Sequence, residues 1–270
     1  MRIIVPIKQV PETSKVKMDP ETGTMIRKGL ASVVNPLDLY AVETALDLRE
    51  SMGGKVTVIT MGPPNAKFAL REALAMGCDD AILLSSRAFA GADTWATSYV
   101  LIKAIQKLGD VDLIICGERA TDGDTGQVGP AIASWLNLPL ATYVNAVKIP
   151  ENGDPGDGLL HIERMVEDGI EHLSTPLPAV LTVIKEVPSP RFPTLQQKLD
   201  SLDAEITVWG PEDIDAIPEN LGLKGSPTRV VKISQPKVTR KAELVYALKV
   251  DDVRRAARKV VEILKTHNLI

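Results

Sequence analysis

Four short apolar runs constrain this 270-residue chain more than anything else in it. Ile3 to Ile7, Lys55 to Thr60, Ala81 to Leu84 and Val111 to Ile115 are each followed, across a polar turn, by a segment with helical spacing. Runs of this kind read as strands buried on both faces, and strands alternating with helices across short loops predict a parallel, right-handed, doubly wound α/β sheet. The helix starts are legible too. Asn35-Pro36-Leu37-Asp38 offers Asn at the N-cap, Pro at the first helical position and an acid at the third, ahead of a stripe formed by Leu37, Ala41, Ala45, Leu48 and Met52. Asp93 is the expected N-cap of a helix reaching Leu108, and Gly77 the expected C-cap of the helix after Met61-Gly62-Pro63-Pro64.

The stretch Val111 to Pro130, VDLIICGERATDGDTGQVGP, concentrates the functional signal. A strand stops at Gly117, a turn rich in Asp, Thr and Gly follows, and apolar positions at helical spacing begin at Gly126. Such a strand–turn–helix presents backbone N–H groups and a positive dipole end to an anion. Thr125, after Asp124, is the expected N-cap, and Gly123 and Gly126 let a ligand approach the main chain. An ordinary βα loop has the same outline. The loops at 7–11, 35–38, 61–64, 91–94 and 117–126 all fall at the carboxyl ends of the strands, where sheets of this class bind ligands.

The rest of the chain predicts additions to that sheet. Glu12 to Lys28 is a polar excursion, a small hairpin or long loop over the strand tips. Leu159 to Val166 and Ile170 to Leu173, around Glu167-Asp168-Gly169, form an antiparallel extension, and Ala179 to Ile184 is another buried strand. Seven prolines then punctuate the chain from Pro188 to Pro236, and helical spacing returns only at Asp251 to Leu264. The expected division is a nucleotide-binding α/β domain over 1–186 and an extended arm with a C-terminal helix over 187–270, packing on a partner subunit.

A net charge of −4 and 4% aromatic residues argue against nucleic-acid binding. Cys78 and Cys116 are widely separated and the three histidines are scattered, so neither a zinc site nor a disulfide framework is expected. No apolar run is long enough to span a membrane, and Arg2-Ile3-Ile4-Val5 enters a strand without signal-peptide architecture; the expectation is a cytoplasmic protein. G-x-G-x-x-G after the first strand, a Walker A lysine, G-x-S-x-G and HExxH are all missing, and nothing resembles a nucleophile with its base. Asp122 and Asp124 stand two apart in a turn and should point in different directions rather than act as an acid–base couple. The chain offers a nucleotide cradle without covalent chemistry of its own.

Gly117 to Pro130 resembles the nucleotide-binding signature of the electron transfer flavoprotein β subunit. So do Lys8-Gln9-Val10, Val34-Asn35-Pro36, Arg71 to Gly77, Pro190 to Leu195 and Gly225-Ser226-Pro227-Thr228, and the likeness covers nearly the whole chain. The resemblance implies a Rossmann-like domain in a heterodimer with an α subunit that carries an electron-transferring FAD. Ordinary members hold a structural AMP in the β site. Bifurcating members hold a second FAD there, which takes hydride from NADH and sends electrons to ferredoxin or flavodoxin and, through the α subunit, to an acyl-CoA- or lactate-type dehydrogenase. Asp122-Gly123-Asp124-Thr125, where ordinary members carry three acids and a Cys, and the Gly91-Ala92-Asp93-Thr94-Trp95-Ala96-Thr97 run both resemble the bifurcating group. The ligands carried over are Ile7 and Gln9 near the adenine, then Asn35 and Met61. At the phosphates they are Asp122, Gly123, Asp124, Thr125, Gly126, Gln127 and Val128. Toward the flavin lie Asp93, Thr94 and Thr97. Helix capping is the competing role for Asn35, Asp93 and Thr125, and packing for Met61. Leu195 matches the family's recognition-loop leucine, which anchors in an acyl-CoA dehydrogenase; its rival role is a buried domain contact. Gln196-Gln197-Lys198 departs from the basic run of ordinary members, which leaves the partner dehydrogenase open. An ordinary electron shuttle with AMP, and a stand-alone ATP-binding stress-type protein of the same fold family, are the alternatives.

Overall fold

Burial along the first strand, β1 (Arg2–Pro6), sets the architecture. Ile3 and Val5 belong to one apolar core and Ile4 to another, and all three are fully buried, so both faces of the strand need a cover. The computed structural model describes residues 1–12, 32–148, 159–231 and 246–270. In it β1 pairs in parallel with β4 (Lys55–Met61) on one side and β6 (Leu113–Gly117) on the other. A short antiparallel pair, β2 (Gln9–Pro11) and β3 (Ser32–Val34), flanks the expected 12–28 excursion, most of which lies outside the described residues.

Beyond β4 come β5 (Asp80–Leu84) and, at the edge, β11 (Thr207–Trp209), both parallel. Beyond β6 come β10 (Ala179–Val183) and β7 (Leu140–Lys148), also parallel, then the antiparallel β8 (Leu159–Val166) and β9 (Gly169–Pro176). Among the described residues the main sheet therefore has nine strands. α1 (Pro36–Met52) and α2 (Lys67–Met76) cover the Ile3/Val5 face, and α3 (Thr94–Leu108) and α4 (Val128–Leu136) cover the Ile4 face. The expected parallel doubly wound sheet with an antiparallel extension is present; β7 and β11 go beyond the strands that the sequence predicts.

The segment after β10 does not leave this body at once: the first compact unit runs Met1–Val231. Val187 is buried in the α1/α2 core, α5 (Leu195–Asp203) packs along α2, and the chain then reaches β5 as β11. Helical structure thus returns earlier than Asp251, because Thr194 and Gln197 form a reciprocal capping box that starts α5 between the prolines. The four-residue α6 (Gly222–Gly225) follows, and Ile214 and Leu221 are buried in the α3/α4 core. In the second unit, Lys232–Ile270, the described residues form α7 (Val250–Thr266), which carries the expected C-terminal stripe with Val253, Val260 and Val261 exposed. No helix among the described residues is long and apolar enough to cross a membrane.

Candidate functional site

The strand order reverses between β1 and β6, since the chain runs outward through β4 and β5 and returns to the other side of β1. A crevice outside the carboxyl ends of two such strands is where open α/β sheets bind ligands. Asn35, at the β3–α1 junction, is fully buried there. Its Nδ2 donates to Asp38 Oδ1 and to the Arg119 carbonyl, both at 2.9 Å, and its Oδ1 accepts from the Thr121 N–H at 3.1 Å. It holds the N-cap position as expected, yet its side chain bonds no first-turn N–H; it ties the start of α1 to the loop after β6 instead.

Asp38 completes this joint. It accepts the Lys8 backbone N–H on Oδ2 at 2.7 Å, and Gly117 leaves room for it, since a Cβ there would lie 2.4 Å from Asp38 Oδ1. Burial pushes the Asp38 carboxyl up to about 7, against the bonds from Asn35 and Lys8 and the Lys8 charge, with Asp122 adding a smaller upward push. The sign follows. The native carboxyl keeps its proton up to about 7 while the unfolded one releases it near 3.8, so the stabilisation is full below 3.8 and lost as pH rises through 7. Denaturant titrations from pH 4 to 8 should show a contribution falling by about 1.4 kcal/mol per pH unit across that window. Asp38→Asn should be less stable at low pH, because its Nδ2 meets a donor, and should lack that slope; an unchanged slope assigns the dependence elsewhere.

Above the joint, the two aspartates of the loop point apart as expected. Asp122 pairs with Lys8 (Nζ–Oδ1 2.6 Å) and Asp124 with Arg119 (Nε–Oδ1 2.9 Å). Gly123 between them faces open space. Asp124 and Gly126 both adopt left-handed backbone, at φ 53° and 62°. These reversals postpone α4 to Val128, so its N-cap is Gln127 and not Thr125, which is exposed. Gln127 makes no cap bond; its Oε1 accepts from the Thr94 hydroxyl at 2.8 Å, which joins the N-terminal ends of α3 and α4.

Asp93 is the N-cap of α3 as predicted: Oδ1 accepts from the Ala96 N–H at 3.0 Å. Its Oδ2 accepts from the Thr228 N–H and hydroxyl, and the Asp93 N–H donates to Ser226 Oγ at 2.8 Å, so the 225–228 motif is fastened to the start of α3. Thr97 sits in the first turn of the same helix, half-buried. Ile7 is buried, its N–H donating to the Ile59 carbonyl and its own carbonyl accepting from the Thr60 hydroxyl. Gln9 donates to the Asn65 carbonyl at 3.2 Å, and Met61 packs half-buried on the α3/α4 core. Ile7, Gln9, Asn35, Met61, Asp93, Thr94, Thr97 and 122–128 thus share the carboxyl edge of the sheet. Leu195 stands apart on α5, 75% exposed rather than buried.

Lys8, Asp38, Arg119 and Tyr143 were not among the sequence-predicted site residues. Tyr143, at φ 57° beside a bulge in β7, lines a cavity of about 240 Å³ together with Thr125, Gly126, Thr142 and Thr182. The bulge is what turns it there, and no residue-type signal announces a bulge. Lys8 and Arg119 lie within quoted motifs, and their spacing to the loop acids is a tertiary property.

Neutralised acids, three helix N-termini and an open glycine at a switch point are the equipment of a site for an anionic nucleotide. Residues 22–214 match the electron transfer flavoprotein domain family. Over the full length of both chains this sequence is 46% identical to the electron transfer flavoprotein subunit beta of Thermoanaerobacterium thermosaccharolyticum, and 45% to the caffeyl-CoA reductase-Etf complex subunit CarD of Acetobacterium woodii. It is 43% identical to the acryloyl-CoA reductase electron transfer subunit gamma of Anaerotignum propionicum, over 87% of this chain and 89% of that one. A match of that depth along the whole chain decides against the stand-alone ATP-binding alternative: this chain belongs to the electron transfer flavoprotein β-subunit family.

Proposed function

We propose that the chain is the β subunit of a heterodimer whose switch-point cradle takes FAD, with the AMP half of the cofactor at 117–128 and the flavin toward α3. NADH is the hydride donor, and the electrons part toward ferredoxin or flavodoxin and toward a dehydrogenase reached through the α subunit's FAD. The observation that carries this reading is the Thr94–Gln127 bond, which sets two helix N-termini side by side. One N-terminus can hold a phosphate or pyrophosphate; a second beside it extends the row of donors along a longer cofactor. FAD supplies the conversion of a two-electron donor into one-electron steps, for which no side chain here is equipped. The chain's own residues bind and orient. Asn35 fixes the loop after β6 to the start of α1, Lys8 and Arg119 cancel the charge of Asp122 and Asp124, and Thr94, Thr97 and Gln127 offer polar groups along the row. The Leu195 face meets the dehydrogenase. An acyl-CoA type is favoured by the relatives whose names join them to caffeyl-CoA and acryloyl-CoA reductases.

Cofactor content of the co-purified αβ complex tests this. FAD in twofold molar ratio to the complex, without AMP, supports it; equal FAD and AMP overturns it in favour of a simple shuttle. Gly123→Ala sharpens the test. A Cβ there meets nothing within 4 Å, so stability should stay within about 0.5 kcal/mol. FAD retention should nevertheless fall, because the methyl enters the space that the cofactor approaches; unchanged retention removes Gly123 from the cofactor surface.

A further inference from the structure

Helix α5 is mounted with its apolar side outward. Leu195, Leu199 and Leu202 recur at i, i+4 and i+7 and share one face, and they are 75%, 50% and 58% exposed, with Phe192 just before the helix at 96%. Burial of an apolar stripe is what normally holds a short helix, and nine residues are too few for a stable helix in water on their own. Polar contacts hold this one. Arg191 lies on three carboxylates of α1 at the same i, i+4, i+7 spacing. Its backbone N–H donates to Glu43 Oε2 at 2.8 Å, Nε to Glu43 Oε1 at 3.0 Å, Nη2 to Asp47 Oδ1 at 2.9 Å, and Nη1 to Glu50. Glu43 itself is buried, which makes this more than a surface pair. At the other end Arg71 of α2 donates through Nη1 to the carbonyls of Ser201 and Leu202, two of the last-turn acceptors that a helix leaves open, and its charge complements the dipole.

We propose that Arg191 and Arg71 are positioning residues that hold α5 ordered at both ends, so that Phe192, Leu195, Leu199 and Leu202 form a ready-made face for an apolar pocket on an acyl-CoA-type dehydrogenase. This rests on the docking role given to Leu195 above. A face that is already ordered loses less freedom on binding, and the fork of a guanidinium can reach three carboxylates where a lysine ammonium cannot.

The test uses the intact αβ complex, reducing an acyl-CoA dehydrogenase or a lactate-type dehydrogenase at varied concentration. Arg191→Ala and Arg71→Ala should each raise the KM for the dehydrogenase about tenfold, with kcat at saturation and FAD content unchanged. Arg191→Lys should not restore the wild-type KM, and amide exchange over 195–203 should rise in each variant. If Arg191→Ala does not fold, Glu50→Gln removes one exposed leg of the clamp and should raise the KM in the same sense. Leu195→Ala, measured alongside, separates the two claims. A raised KM in Leu195→Ala with none in the arginine variants overturns the positioning role. An unchanged KM in all of them, or a wild-type complex that reduces neither dehydrogenase, overturns the docking reading and this inference with it. Self-association of the complex that Leu195→Ala abolishes would assign the face to a second copy and overturn it likewise.

Discussion

Asn35→Ala is expected to cost about 3 kcal/mol of unfolding free energy, because it strips three partners at one stroke. The Arg119 carbonyl loses its donor, the Thr121 N–H loses its acceptor, and Asp38 Oδ1 loses the bond that partly offsets its burial. Asp38 Oδ1 sits in a buried bond and gains no replacement partner in the alanine variant, whereas the Arg119 and Thr121 main-chain groups sit in part-buried bonds. Asn35→Asp is expected to be worse still, although it is nearly isosteric. It keeps an acceptor for Thr121 but, above about pH 7 where Asp38 has lost its proton, turns the donor aimed at Asp38 and Arg119 into a second carboxylate oxygen facing two acceptors. Denaturant melts of the two variants check the order. An aspartate variant as stable as wild type would show that Asn35 is not the joint between the start of α1 and the loop after β6. Because the same joint positions the cradle, retention of the proposed FAD should fall with stability in both.

Gly117→Ala is expected to cost about as much, roughly 3 kcal/mol, for a steric reason alone. The backbone at Gly117 is not left-handed, so no strain arises from φ. The added Cβ would lie 2.4 Å from Asp38 Oδ1, 2.8 Å from the Leu37 carbonyl carbon and 2.9 Å from Asp38 N. Main-chain atoms at the start of a packed helix cannot move aside as a side-chain tip can, so β6 and α1 must part. Gly129→Ala provides the contrast. Its Cβ would meet Thr182 Cγ2 at 2.5 Å, a single methyl on a buried, β-branched side chain rather than main chain, so the loss should be smaller than at Gly117. Equal losses in the two variants would mean that the contact between β6 and α1 is softer than it looks.

These two residues show where sequence reading stopped. The alternation of apolar runs with helical stripes made the parallel sheet legible, since β1, β4, β5 and β6 are buried on both faces and their residue types say so. β7 was not legible because it is half exposed and broken at Tyr143, and β11 because three residues carry no period. The Asn35-Pro36 start of α1 was plain, but an N-cap asparagine has the same signature whether it caps its own helix or reaches a loop 84 residues further on. An acid at the third helical position reads as a dipole complement; that Asp38 is closed off from water is decided by β6 and the loop above it. Arg191, alone among prolines, gave no hint of partners 148 residues earlier in the chain. The quoted family motifs located the cradle, while the bonds that join its two sides were matters of tertiary structure.

The path of the chain from Val187 to Trp209 has a kinetic consequence. It crosses the outside of α1 and α2 and ends as the edge strand beside β5, so it crosses the helical layer after that layer has been built. Its fastenings, Arg191 to Glu43 and Arg71 to Ser201, close loops of more than a hundred residues, and such closures come late in folding because their entropy is lost before their contacts form. Interactions absent from the folding transition state act on the rate of escape from the native state. The crossing segment is therefore expected to work as a clasp, with Arg191→Ala raising the unfolding rate in denaturant jumps more than it lowers the folding rate.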